Sequence, residues 1–264
     1  MYRIPPSELP APDIAALLQL QSDVKAIGDY AAQVAEGKRK WSIKPKPLFS
    51  RVKARLEAMC SGNIRCIYCE DSRADEIEHM RPKDLYPEQV FLWPNYVLAC
   101  GPCNGPKNNR FAVIRKGGRN WVEVTRAPGS PVTPPANGMS ALIDPRMEDP
   151  LKFIWLDMQT WRFTPKLDIT PRASLRAAFT IDILRLNSRD ELLRGRRRAF
   201  SGYLARLREF SSESPTWNAK HRQEFVEDFK AESYRTVWLE MLRQRQWLPD
   251  VRQLLGMVPE ALAW

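Results

Sequence analysis

Five cysteines and two histidines are the scarcest reactive side chains in this 264-residue chain, and most of them crowd into one stretch. Cys66 and Cys69 form one CxxC pair, Cys100 and Cys103 a second, and Cys60 is left over. A CxxC turn lets two thiolates reach one ion, and two such turns complete the tetrahedral four-sulfur site of structural zinc. The 30 residues between the pairs exceed the usual zinc-ribbon spacing and leave room for a hairpin and loop. The competing reading, separate redox or buried thiols, lacks the βαβ setting in which a redox CxxC opens a helix. Inside the insertion stands Glu78-His79-Met80-Arg81-Pro82-Lys83, Asn95 lies five residues before Cys100, and Asn104 follows Cys103 directly, with Lys107 three further on. An imidazole takes a proton from water near neutral pH. A carboxylate and an amide offer the hard oxygens that Mg²⁺ prefers. These are the parts for metal-assisted hydrolysis of a phosphodiester.

The elements that must position these groups follow from hydrophobic spacing. Residues 13–36 read as one helix, with Ile14, Leu17, Leu18, Val24, Ile27 and Val34 at helical intervals, Asp13 at its start and Gly37 at its stop. The basic stretch KRKWSIKPKP follows, and Leu48, Val52, Leu56 and Met59 mark a second helix. Positions 38–57 hold eight Lys or Arg against one acid. From 64 to 111 the pattern changes to short apolar runs between polar turns: IRCIYCE and EIEHMRP read as short strands or knuckles, and WVEVT at 121–125 as another strand. Residues 127–140, with four Pro and two Gly, read as a linker. Beyond it FIWLD and WRFTP suggest a hairpin. Helices follow, one starting at Thr170-Pro171, one capped by Ser188 and one from about Thr216 that carries Phe225, Phe229 and Leu239.

The segment CIYCE…EIEHMRPK…FLWPNYVLACGPCNGPK resembles the zinc-stabilised HNH nucleases with a ββα-metal active site. It is closest to their HNN version, found in the phage endonuclease that resolves Holliday junctions. The resemblance implies His79 as general base, Glu78 and Asn104 as ligands of a catalytic Mg²⁺ or Mn²⁺, and Asn95 as the brace of the loop that aims the base. It also implies Cys66, Cys69, Cys100 and Cys103 as ligands of structural Zn²⁺, and products with 5′-phosphate and 3′-hydroxyl ends. Glu78 stands where many relatives carry Asp. Because Pro102 and Pro106 crowd the segment after the second knuckle, its helix is expected to begin near Pro106, with Asn104 at the cap. Trp41, the residues at 68–70, LIDPRMEDPLKF (142–153) and TIDILRLNSRDELLRGRRRAF (180–200) are similar to HNH proteins linked to retrons and to Septu-type anti-phage defence. In those systems the nuclease works beside an ABC/SMC-type ATPase.

Composition agrees with a folded polyanion binder. Hydrophobic residues make up 44% and charged ones 27%, which excludes a disordered chain, and the net charge of +10 favours nucleic acid or an acidic partner. No apolar run approaches the ~20 residues of a membrane span. MYRIPPSELPAPD carries no secretory signal, so the expected compartment is the cytoplasm. The expected fold is α+β: helices over 1–60, a zinc-clipped nuclease core over 61–126, the linker, and a mainly helical region over 141–264. Lys83, Lys107 and Arg110 are the candidate nucleic-acid contacts, with DNA favoured over RNA and a homodimer left open. The alternative is a non-catalytic, zinc-containing nucleic-acid-binding or adaptor module. His221 reads as solvated and Cys60 as a small core residue. The run Arg194, Arg196, Arg197 and Arg198, opposite Phe200, Leu204 and Leu207, admits three readings, a phosphate grip, a solvated helix face and a helix docked on an acidic partner, and the last is the one taken forward.

Overall fold

Amphipathic spacing places three helices first in the computed structural model, which describes residues 1–264: α1 (Ala11–Lys25), α2 (Tyr30–Ser42) and α3 (Lys46–Glu57). The single helix expected over 13–36 is thus two. The chain turns at 26–29, and the Asp29 carboxylate accepts from the Ala32 N–H to start α2 afresh (2.7 Å). Gly37 does not end a helix. It lies inside α2 at a close approach, where a Cβ would stand 3.2 Å from Val90 Cγ2.

The middle of the chain folds as strand, strand, helix. β1 (Glu76–His79) pairs antiparallel with β2 (Tyr96–Ala99), with Glu76 opposite Ala99 and His79 opposite Tyr96, and α4 (Gly101–Lys107) follows at once. Contrary to the expected start near Pro106, α4 begins at Gly101, and Asn104 sits within it. Pro102 falls in the first turn, where no N–H has an acceptor to lose, and Pro106 falls in the last turn, just before the helix stops. The stretch IRCIYCE holds no strand. It is a turn closed by Glu70 N–H to Cys66 O (2.8 Å) and fastened to β2 by Ile67 N–H to Leu98 O (3.1 Å).

Three short strands come next, β3 (Ala112–Ile114), β4 (Val122–Glu123) and β5 (Met139–Ser140), in the order β4-β3-β5. The Pro-rich stretch therefore ends as an edge strand of this sheet. β6 (Ile154–Leu156) and β7 (Phe163–Pro165) form the expected hairpin. The helices α5 (Pro171–Ile183), α6 (Asp190–Glu213), α7 (Ala219–Ala231), α8 (Arg235–Gln244) and α9 (Pro249–Met257) complete the chain. Thr170 caps α5 as expected, but Ser188 does not cap α6: its hydroxyl turns back to Arg185 O, and Arg189 takes the N-cap position. The helix expected from Thr216 is α7 and α8, separated at Tyr234, whose φ is +59°.

Sixty buried hydrophobic residues from Met1 to Trp264 form one contiguous core, so the N-terminal helices, the ββα unit and the C-terminal helices are packed together. The arginine-rich helix is the clearest correction. Arg196 is 1% exposed, donates to Trp161 O (2.8 Å) and Leu186 O (2.7 Å), and lies over the Phe163 ring. Leu204 and Leu207 belong to the core, and Phe200 packs against Trp161. The apolar face proposed for docking is therefore occupied by the chain itself.

Candidate active site and cysteine cluster

The first and second knuckles meet behind the β1–β2 hairpin. The Sγ atoms of Cys66, Cys69, Cys100 and Cys103 all lie within 4.8 Å of one another, and all four residues are buried. Sulfurs about 2.3 Å from a tetrahedral zinc are separated by roughly 3.8 Å, and Cys69 and Cys100 stand 3.7 Å apart. Burial pushes the Cys66 thiol well up, as does its closeness to the other three sulfurs. A dication reverses that balance by binding thiolates, so the donor set fits zinc. Cys60 stands apart, half-buried, its thiol directed at Arg65 O and Leu56 O.

Strand alternation sets the second group. Glu76 and Glu78 project from β1 toward α4, where Asn104 and Lys107 are spaced three apart on one face. The Asn104 amide nitrogen donates to Glu76 Oε2 at 2.5 Å, leaving its amide oxygen without a donor in the chain. Lys107 is wholly buried and its ammonium bonds both the Glu78 carboxylate and His79 O. Burial pushes the Glu78 carboxyl above its ordinary value against the pull of Lys107. Lys107 was a candidate nucleic-acid contact. Its place is instead that of the internal counter-ion of Glu78, since a buried carboxylate needs a paired charge. Glu76 was missed altogether, although its two-residue offset from Glu78 carried the signal.

His79 closes β1 with its ring buried between Trp41 (4.3 Å between centroids) and Tyr96. Nε2 lies 3.0 Å from Val90 O. A carbonyl only accepts, so Nε2 carries the hydrogen and Nδ1 keeps the lone pair. Burial, then the charge of Lys83, pushes its pKa down to about 3, so the ring is neutral at pH 7. Asn95 locks the loop between the strands. Its Oδ1 accepts from Arg81 N–H (2.8 Å), and its Nδ2 donates to Gln89 O (2.9 Å) and Arg81 O (3.1 Å). Asn95→Ala leaves three partly buried backbone groups without those partners. It is expected to lower stability by about 2–4 kcal/mol, seen as a fall of several degrees in the melting midpoint, with zinc content unchanged.

A groove of about 600 Å³ runs along this face, lined by Glu76, Glu78, His79 and Asn104 on one side and by Lys44, Lys46, Lys53 and Lys83 around them. The basic stretch divides by pairing. Lys38, Arg39, Lys40 and Arg51 are tied to Asp84, Glu36, Asp23 and Asp13, whereas none of the four groove lysines has a carboxylate partner. Lys44 lies over the Trp41 ring (4.6 Å), its pKa lowered by burial and by Lys83. Arg110, the third candidate contact, is half-exposed and paired with Glu123 (3.0 Å), outside the groove. His221 is exposed and stacks on Trp217. No helix is long and apolar enough to cross a membrane.

No protein-family model matches the chain. Over 58 residues it is 40% identical to the Septu protein PtuB of Bacillus thuringiensis, a stretch covering 20% of this chain and 23% of that protein. The match thus takes in less than a quarter of the curated relative's length.

Proposed function

We propose that this chain is a metal-dependent endonuclease of the HNH type, the effector of a bacterial anti-phage defence complex that includes an ATPase of the ABC/SMC class. The observation that carries the reading is one juxtaposition: Glu78 and His79 on β1 and Asn104 on α4 line the same groove, with four unpaired lysines around them. The partial likeness to a Septu protein supports the defence setting. Charge complementarity of this kind holds a nucleic-acid backbone in a salt-sensitive way, without reading sequence.

The chemistry assigned to the chain's own residues is limited to what their placement allows. His79 Nδ1 accepts a proton from the attacking water, and the Nε2–H bond to Val90 O holds the ring in the tautomer that can do so. Lys83 and Lys44 bear on the buried imidazole and oppose its protonation, and a phosphodiester in the groove offsets their charge. Asn95 keeps the loop from Arg81 to Gln89 in register, so that Val90 O stays where it orients His79. Glu78 and Asn104 would hold the divalent ion, and their oxygen chemistry suits Mg²⁺ or Mn²⁺. When bound, such an ion supplies charge neutralisation at the phosphate and at the departing 3′ oxygen.

A second reading, a zinc-containing nucleic-acid-binding or adaptor module without turnover, is favoured by the engagement of Glu78 with Lys107 and of Asn104 with Glu76. One experiment separates the two. The chain, alone and co-purified with an ATPase partner, is incubated with plasmid and with RNA in Mg²⁺ or Mn²⁺. A nuclease gives chelator-sensitive cuts with 5′-phosphate ends. Binding without cutting in both preparations selects the adaptor.

A further inference from the structure

Arg189 reaches the cysteine cluster from the far half of the chain. Its Nη2 lies 3.1 Å from the Sγ of Cys103, 86 positions away in sequence. No carboxylate stands within ion-pair distance of this half-buried guanidinium, and its other bond, to Arg185 O, is long at 3.5 Å.

The turn that carries Arg189 is fixed from both sides. Arg185 adopts φ +51° and ends α5. Asn187 then bonds both backbone groups of Phe163 on β7, Oδ1 accepting from its N–H (2.8 Å) and Nδ2 donating to its carbonyl (2.7 Å). Buried Arg196 grips Leu186 O. The backbone from which Arg189 reaches Cys103 is therefore fixed by bonds that do not involve the cysteines.

We propose that Arg189 is a positioning residue of the four-cysteine metal centre, donating a charged N–H to the Cys103 thiolate and so coupling retention of zinc to docking of the C-terminal helices. Four thiolates and one zinc carry a net charge of −2, which is costly to bury among the core residues that surround these cysteines. One guanidinium halves it. Hydrogen bonds to ligating groups of this kind commonly change metal affinity ten- to hundredfold. Cys103 is followed on α4 by Asn104, so the same contact ties the C-terminal half to the helix that lines the groove. The inference rests on the cluster holding zinc, not on nuclease activity.

The test uses the full chain loaded with zinc, and a second sample loaded with Co²⁺. Arg189→Met, which keeps the apolar stem and removes the donor, is expected to lose zinc to a competing chelator roughly ten times faster or more. It should also move the sulfur-to-cobalt charge-transfer band to lower energy. Arg189→Lys should restore most of the zinc retention, and Arg189→Gln, a neutral donor, should fall between; either serves if the Met variant does not fold. Wild-type release rates and an unshifted band in the Met and Gln variants would overturn the proposal. So would faster release with an unshifted band and a lowered melting midpoint, since that marks a packing role alone. A wild-type chain that neither carries nor takes up zinc overturns the zinc reading itself, and this inference with it.

Discussion

Cys66→Ser is expected to abolish zinc binding and cooperative folding together. Wild-type protein should carry about one zinc per chain by elemental analysis, and the variant close to none. Zinc contributes about 10–16 kcal/mol to the folding of small finger peptides, against a usual net stability of 5–15 kcal/mol for a whole domain. A loss of that size equals or exceeds the net stability of all but the most stable domains. The four cysteines are members of the single core cluster, and the knuckle is fastened to β2 through Ile67 and Leu98. Disorder at the knuckle therefore spreads to the hairpin that carries Glu78 and His79, and through Arg189 to the start of α6. Circular dichroism and thermal melts should show reduced helix content and no sharp transition. A soluble Cys66→Ser protein with the wild-type midpoint and no metal would show that the cluster does not hold structural zinc.

What was legible in the sequence is what depends on local spacing. Two CxxC turns at fixed separation, an α+β succession of short strands and longer helices, and the Thr170 cap all state their geometry within a few residues, and the structure repeats them. The bracing hydrogen bonds of Asn95 span at most 14 positions. The misjudged elements turned on contacts that no window shows. Gly37 looked like a helix stop because glycine usually is one, but Val90, more than fifty residues on, needs the space. Arg196 looked like surface charge because its neighbours are arginines. Its acceptors are backbone carbonyls at Trp161 and Leu186, set free by turns distant from or just before the helix. Pro106 looked like a helix start, whereas the preceding Cys100 carbonyl already accepts from both Cys103 and Asn104.

The candidate site divides in the same way. Glu78, His79, Asn95 and Asn104 could be singled out by residue type, and three of the four line one groove, with Asn95 behind it. Which cations face that groove could not be read from composition. Of eight basic residues between 38 and 57, four pair with acids: Arg39 with Glu36 one turn back in α2, Lys40 and Arg51 with Asp23 and Asp13 across to α1, and Lys38 with Asp84 of the loop after β1, so three of the four pairings depend on tertiary packing. Lys107 is the sharpest case. It was a candidate nucleic-acid contact, but its place on α4, three residues from Asn104, turns it inward onto Glu78.

His79→Ala is expected to lower cleavage by 10²-fold or more, the scale of a lost general base, while zinc content stays at about one per chain. The structure adds two consequences. The ring is buried against Trp41 and Tyr96, so its removal leaves a cavity and lowers stability by about 1–3 kcal/mol. Val90 O is not orphaned, because the Tyr96 hydroxyl also donates to it (2.7 Å). His79→Gln, with an amide N–H able to reach Val90 O, should keep more of that stability and still fail to cleave. The second consequence is a pH signature. With an unfolded value near 6.5 and a folded value of about 3, the unfolded chain binds the proton that the folded chain refuses. The contribution of the neutral ring is therefore full above pH 6.5 and is lost as the pH falls toward 3, amounting to about 2 kcal/mol between pH 7.5 and 5. Urea titrations at the two pH values should show this acid sensitivity in the wild type and its absence in both variants. Equal acid sensitivity in all three proteins would mean that His79 is not held neutral. Parallel loss of zinc in the variants would mean that the imidazole belongs to the sulfur site and not to the groove.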